Sequence, residues 1–179
     1  NFPDMLLIQG KYQLRPKRPF SPGIEVAGII SAVGEGVTNW KVGDKAMGLC
    51  WLGGYAEKVA VAEKNVYPMP EGMSFEEAAG FIVTYQSSYF AIVVRANLQP
   101  TETMLVHAGA GGIGSSAIQI GKAIGAKVYA TAGSEEKLEV IRSLGADLAL
   151  NYNDATWSKK IRKEYGGVDV VIDPVGGEA

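Results

Sequence analysis

The sequence predicts an α/β protein in which a small β-barrel or sandwich leads into a doubly wound parallel sheet. Three observations carry that expectation. Short β-type segments punctuated by glycine turns recur at roughly ten-residue spacing through the first third of the chain. From residue 103 onward strand-type and helix-type segments alternate, the pattern of a parallel sheet joined by crossover helices. Between the first of those strands and the first of those helices stands the run Gly109-Ala110-Gly111-Gly112-Ile113-Gly114.

Composition narrows the class further. Of 179 residues 47% are apolar, enough to fill a core, and the mean hydropathy of +0.06 is that of a globular chain. No apolar run reaches the roughly 18 residues that a bilayer span needs. The start Asn1-Phe2-Pro3-Asp4 lacks the basic region of a signal peptide, so a cytoplasmic protein is expected. The absent initiator methionine marks the chain as a fragment by expectation. Cys50 and His107 are the only cysteine and histidine, whereas a zinc site draws about three or four ligands mostly from those residue types. A net charge of −2 and a pI near 5.5 leave no electrostatic footprint for nucleic acid.

Element by element, residues 23–33 cluster β-branched and small residues before the Gly34-Glu35-Gly36 turn. A turn at Val42-Gly43-Asp44 leads to a strand over 45–49, and Gly53-Gly54 leads to another over 55–62. Ser74-Phe75-Glu76-Glu77 is a capping box, which opens a helical stretch over 78–95. Strands are expected over 103–107, 127–131, 147–150 and 168–172. Helices are expected over 112–124, with Ile113, Ala117, Ile120 and Ile124 on one face, over 135–144, stopped by Gly145, and over 155–165.

Gly109-x-Gly111-x-x-Gly114 gains meaning from this context, because it follows an apolar strand and opens an amphipathic helix. Glycines permit the tight turn and close backbone approach to a pyrophosphate, and the helix N-terminus offers amides to it. Gly109, Gly111, Gly112, Ile113 and Gly114 are therefore cofactor candidates. The tip of the second parallel strand reads Ala132-Gly133-Ser134, where an NAD site places a carboxylate for the ribose 2′-hydroxyl. Gly133 and Ser134 offer amide and hydroxyl donors. Lys137 offers a positive charge, or is a solvated helix lysine beside Glu135 and Glu136. The expected cofactor is NADPH.

The chain resembles the medium-chain dehydrogenase/reductase superfamily, in its zinc-free quinone oxidoreductase branch. The motifs are Asn1-x-x-Asp4 with Gly10-x-Tyr12, Pro22-Gly23-Ile24-Glu25-Val26-Ala27-Gly28, Val33-Gly34-x-Gly36-Val37 with Gly43-Asp44, Val106-His107-Ala108-Gly109-Ala110-Gly111-Gly112-Ile113-Gly114, Asn151-Tyr152, and Asp173-x-Val175-Gly176-Gly177. Ile24 stands where the zinc-dependent branch has histidine. The resemblance implies a partial GroES-like β-barrel catalytic domain over 1–81 and a partial Rossmann NADPH-binding domain over 82–179. It implies that Gly133, Lys137 and Tyr152 hold the 2′-phosphate and adenine side, and that Thr84, Tyr85 and Ser87 approach the nicotinamide. Relatives often read Tyr-Gly-Thr-Ala where this chain has Tyr85-Gln86-Ser87-Ser88.

What the resemblance implies about chemistry is zinc-independent hydride transfer from NADPH to a quinone or activated alkene, by a homodimer in the full-length protein. Alternatives are an enoyl-thioester reductase and a crystallin-like NADPH-binding protein without catalysis. Tyr12, Asn1 and Asp4 are the candidate catalytic group. Tyr12 is a proton donor or a half-buried aromatic after a turn; Asp4 touches substrate or acts as a structural cap. Glu25 is expected to be structural, and His107 to be a packed strand-end residue or a cofactor neighbour. Trp40, Trp51 and Trp157 are read as packing residues, and Lys11, Arg15, Lys17 and Arg18 either attract a phosphate or solvate a loop.

Overall fold

The computed structural model describes residues 1–177, which divide into two units, Asn1–Val83 and a second that begins at Thr84. The first unit begins with helix α1 (Phe2–Ile8), an element not expected in a first third read as strand-like and turn-rich. Asn1 precedes it, Pro3 lies in its first turn, and Asp4 returns a carboxylate to the Asn1 nitrogen at 3.3 Å. Only Asp4 and Leu7 are buried, so seven residues leave little periodicity to read.

Strands β1 (Glu25–Ile29), β2 (Lys45–Leu49) and β3 (Val66–Pro68) form an antiparallel sheet in that order. Ala27 faces Met47, which in turn faces Tyr67. The strand expected over 55–62 is absent. Gly54 and Tyr55 donate instead to the carbonyls of Gly23 and Pro22, at 3.0 and 2.9 Å. Val61 then packs over Gly48 on a face of the sheet, and β3 takes the free edge of β2 after the short 3₁₀ turn Glu63–Asn65.

The capping box forms as expected: Ser74 N–H donates to Glu77 at 2.9 Å and Glu77 N–H donates to Ser74 at 3.2 Å. The Ser74 N–H and the Ser74 hydroxyl, which also donates to Glu77 at 3.0 Å, hold the Glu77 carboxyl below its ordinary range. The helix it opens, α2 (Phe75–Ala79), is however short. The single helix expected over 78–95 breaks at Gly80-Phe81 into α2, α3 (Ile82–Tyr89) and a wide π turn, Phe90–Arg95. The second start is fixed by Glu25 of β1, which accepts the Val83 N–H at 2.9 Å. Met47, Ala78 and Ile82 form the core of this unit, with Ala27, Leu49 and Tyr67 against them.

The second unit contains β4 (Thr103–Val106), α4 (Gly112–Ile124), β5 (Lys127–Ala132), α5 (Glu135–Ser143), β6 (Leu148–Asn151), α6 (Trp157–Glu164) and β7 (Val170–Ile172). All strand pairs are parallel, in the order β6-β5-β4-β7. The chain therefore winds outward from β4 to β6 and returns to β7, which puts the reversal of strand order beside β4, where ligands bind in such sheets. Met104, Val106, Val128 and Ala130 meet Ala117, Ile118 and Ile141 in a dry core. The face of α4 is rotated from the expected one. Gly114, Ala117, Ile118 and Gly121 are fully buried, while Ile113, Ile120 and Ile124 flank them half-buried. Small residues let the helix lie close to the sheet, and the larger isoleucines seal its sides.

Candidate functional site

The loop after β4 is built from main-chain bonds. His107 N–H donates to Ile172 of β7 at 3.0 Å, Gly109 N–H to Thr131 of β5 at 2.8 Å, and Gly111 N–H to Ala108 at 2.8 Å. Ala108 takes a left-handed φ of +49°, unusual for a residue with a Cβ. The turn brings Gly114 so close that a Cβ there would lie 2.7 Å from the Gly109 Cα and collide with the Ala108 carbonyl. Gly111 is the N-cap of α4 and gives no side-chain cap bond, so first-turn amides of Gly112, Ile113 and Gly114 are presented at the helix end. A pyrophosphate fits this arrangement, both by the close backbone approach and by the unmet donors.

Two residues overlooked in the sequence brace the loop. Ser88 of α3 and Ser116 of α4 are fully buried, with hydroxyls 2.7 Å apart. Ser116 also lies within 3.0 Å of the Gly112 and Ile113 carbonyls and 3.2 Å of the Thr84 carbonyl. The helix bearing Thr84 and Ser87 is thereby tied to the first turn of α4. Thr84 is buried and Ser87 is exposed. The signal was present: two polar residues at helix positions where the pattern asks for apolar ones.

At the tip of β5 the Tyr152 ring lies over Gly133, where a Cβ would reach 2.5 Å from the Tyr152 Cζ. Asn153 donates to the Gly133 carbonyl at 2.9 Å and holds that turn in place. Ser134 caps α5 by accepting the Lys137 N–H at 3.4 Å. Lys137 is exposed, and its ammonium has no ion-pair partner among the described residues. Its neighbour Glu135 is engaged by Arg142 at 2.7 Å, which also holds Glu139 at 3.0 Å. Gly133, Ser134, Lys137 and Tyr152 thus sit around one strand tip that bears no carboxylate of its own.

In the first unit Asp4 is 2% exposed and accepts the Gly23 N–H at 2.9 Å, which fastens α1 to the entry of β1. Asn1 donates its side-chain amide to Glu25. Burial pushes the Glu25 carboxyl above its ordinary range, against the Val83 amide, which favours the charged form. Tyr12 is half-buried in the irregular segment after α1, with no hydrogen bond from its hydroxyl among the described residues.

Among the described residues no group of three or more His, Cys, Asp or Glu side chains is placed to hold a metal ion. Cys50 lies in the first unit with its sulfur 3.1 Å from the Gly23 carbonyl, and burial raises its thiol. His107 lies in the second unit, 3.1 Å from the Thr131 hydroxyl and edge-on to Trp157.

A glycine loop at the reversal point of a parallel sheet is the arrangement by which open α/β folds take up dinucleotides. Residues 1–71 match the alcohol dehydrogenase GroES-like domain, and residues 112–179 match the family described as zinc-binding dehydrogenase. The chain is 42% identical to the synaptic vesicle membrane protein VAT-1 homolog of Danio rerio, over 99% of this chain and 37% of that protein. It is 41% identical to quinone oxidoreductase-like protein 2 of Bos taurus, over 99% of this chain and 52% of that protein. Among solved structures, the quinone oxidoreductase of Thermus thermophilus, solved also as its complex with NADPH, is 38% identical with a TM-score of 0.85. It is matched over 99% of this chain and 55% of that one. The CurK enoyl reductase is 35% identical with a TM-score of 0.89, over 99% and 56%. The chain belongs to the medium-chain dehydrogenase/reductase superfamily, among relatives named quinone oxidoreductases, and spans about half the length of the curated relatives it matches.

Proposed function

We propose that this chain is the GroES-like part and the leading Rossmann part of a zinc-independent, NADPH-dependent reductase of quinones or other activated alkenes. Residues 1–81 serve the acceptor, and residues 82–179 serve the cofactor. The observation that carries the reading is the β5 tip, where Tyr152 lies over Gly133 with Ser134 and Lys137 beside it and no carboxylate repels a 2′-phosphate. Arg142 pairs with Glu135, one of the two acids that precede Lys137 in the sequence. A bound reduced nicotinamide supplies a hydride, and the acceptor takes up that hydride and one proton.

The chain's own residues bind, orient and protonate. First-turn amides of Gly112, Ile113 and Gly114 hold the pyrophosphate, with Gly109 and Gly111 giving it access. Thr84 and Ser87 orient the nicotinamide end. Tyr12 donates a hydrogen bond or a proton to the acceptor where its negative charge develops, a role that falls to a side-chain donor when no metal polarises the acceptor. Asp4 and Asn1 act on this chemistry by fixing α1 and β1, through Gly23 and Glu25, and so set the segment that bears Tyr12. The acceptor is a small molecule, and the complete protein works as a cytoplasmic homodimer.

Fluorescence titration with NADPH and NADH tests the cofactor reading. NADPH should bind at least about tenfold more tightly, and Lys137→Ala should narrow that ratio, since a point charge beside the phosphate is lost. Equal affinity for the two in the unsubstituted protein would sink it.

A further inference from the structure

Helix α3 and the π turn that follows it bury Thr84, Ser88 and Ile92 in a stripe at helical spacing. Two of these three residues carry hydroxyls where a buried stripe is ordinarily apolar. Relatives often have alanine where this chain has Ser88, so that hydroxyl is a departure. From α4 it meets Ser116, also fully buried, with the two oxygens 2.7 Å apart. All of these residues belong to the second unit.

Each hydroxyl has one proton to give, and the distances allow two ways to give both across the gap. In the first, Ser88 donates to Ser116 and Ser116 donates to the Thr84 carbonyl at 3.2 Å. In the second, Ser116 donates to Ser88 and Ser88 donates to the Ile113 carbonyl at 3.2 Å. Either way two hydrogen bonds in series join α3 to α4, in a dry setting where each strengthens the other. Even with the Ser116 proton turned back to its own helix, at 3.0 Å from the Gly112 and Ile113 carbonyls, Ser88 still donates to Ser116. α4 is held on its own account: Gly114, Ala117, Ile118 and Gly121 are buried, and main-chain bonds fasten Gly109 and Gly111. The bonds across the gap therefore set where α3 lies on α4.

From this geometry we infer that Ser88 and Ser116 are positioning residues, which hold the nicotinamide end of the cofactor in register with its pyrophosphate and act on hydride transfer more than on binding. The inference rests on the proposed reductase and adds two residues to its machinery. α3 bears Thr84 and Ser87, assigned to the nicotinamide end, and the first turn of α4 bears the amides assigned to the pyrophosphate. The adenosine half is assigned to the β5 tip, where neither serine makes a bond. A displacement of the reacting carbon by about 1 Å can cost about a hundredfold in rate.

The double variant Ser88→Ala/Ser116→Ala supplies the test. The carbonyls that lose a hydroxyl lie within helices and keep their amide partners, so its melting temperature should stay close to that of the unsubstituted protein. Oxidation of NADPH by 1,2-naphthoquinone, which takes up one hydride and one proton, should show kcat reduced at least about tenfold while KM for NADPH stays within about threefold. Affinity for adenosine 2′,5′-bisphosphate, which has no nicotinamide, should be unchanged, and the fluorescence emission of bound NADPH should be altered. Each single variant keeps one hydroxyl-to-carbonyl bond across the gap, so its loss in kcat should be intermediate, and the single variants carry the same test if the double variant does not fold. Equal losses of affinity for the bisphosphate and for NADPH overturn the inference, because the serines would then be building the loop itself. An unaltered kcat with unaltered emission overturns it too. If the unsubstituted protein binds NADPH and reduces no quinone, the reductase reading fails, and the emission of bound NADPH alone decides this inference: a change in the double variant upholds it, and no change overturns it.

Discussion

The glycine loop after β4 and the corner where α1 meets β1 are both fastened to main-chain amides, but by different acceptors. In the loop the acceptors are carbonyls, Ala108 for Gly111 and Thr131 for Gly109. At the corner they are carboxylates, Asp4 for Gly23 and Glu25 for Val83. A carbonyl acceptor is indifferent to pH and to the identity of the side chain that bears it, so the loop constrains space alone. A carboxylate acceptor can be deleted, exchanged for an amide, or protonated. The two regions should therefore fail under different perturbations, volume for the loop and charge for the corner.

Gly114→Ala carries the largest expected effect. Its added methyl would lie 2.7 Å from the Gly109 Cα and against the Ala108 carbonyl, both main-chain atoms that cannot step aside. Overpacking of this kind costs about 1 to 3 kcal/mol. Because the atoms displaced are those that form the loop, NADPH affinity should drop by about a hundredfold or more while the first unit is unaffected. Cofactor titration and thermal melting check this, and near-native affinity would mean that the loop has room to shift.

Asp4→Ala comes next and acts on the corner. It removes the acceptor of the Gly23 amide at a site where Asp4 is 2% exposed, and loss of a buried bond to a charged acceptor costs about 1.5 to 3 kcal/mol. Asp4→Asn keeps one carbonyl oxygen for Gly23 and should recover more than half of that loss. Urea denaturation of the two variants distinguishes these outcomes; equal destabilisation would mean that the negative charge matters more than the acceptor.

The same contrast explains what could be read from the sequence. The parallel sheet was legible because each of its elements buries a run of apolar residues with its own period, and because glycines mark the loop directly. The antiparallel unit was less so. Residues 55–62 alternate like a strand, yet whether they pair depends on Val66–Pro68 reaching the β2 edge, a fact about distant residues. The helix start at Ile82 depends on Glu25, more than fifty residues earlier, and so looked like the middle of one long helix. The rotated face of α4 was missed for a related reason: in a tightly packed helix the contact line is marked by Gly114 and Gly121, which a search for large apolar residues passes over. At the candidate site, side chains named from motifs were found around the β5 tip, whereas Asn153 emerged only with three-dimensional proximity, and Ser88 and Ser116 showed in the sequence only as polar residues at helix positions that ask for apolar ones.

The smallest effect is the pH response of Glu25, and it separates the corner from the loop most cleanly. Burial raises its carboxyl above the usual 4.5, and the negative charge of Asp4 pushes the same way, while the Val83 amide, the N-terminal ammonium and the Ile82 amide oppose both. A carboxyl raised in the folded state holds a proton there that the unfolded chain has already released. Its contribution to stability is therefore fullest below about pH 4.5 and falls as pH rises through the raised value. Glu77, Asp147 and Asp173 are shifted downward and act in the opposite sense, at lower pH. Glu25→Gln has no proton to lose, so the stability difference between it and the unsubstituted protein should change as pH rises above the ordinary carboxyl value, in favour of the variant at the upper end. Glutamine offers a single carbonyl oxygen to the two donors, Val83 N–H and the Asn1 amide, so the variant should start from lower stability at acid pH. Denaturation curves at several pH values would show this slope, whereas a constant difference would mean that Glu25 titrates alike in the folded and unfolded chains. Cofactor affinity over the same range should not follow the slope, because the loop proposed to hold the pyrophosphate is fastened through the main-chain carbonyls of Ala108 and Thr131.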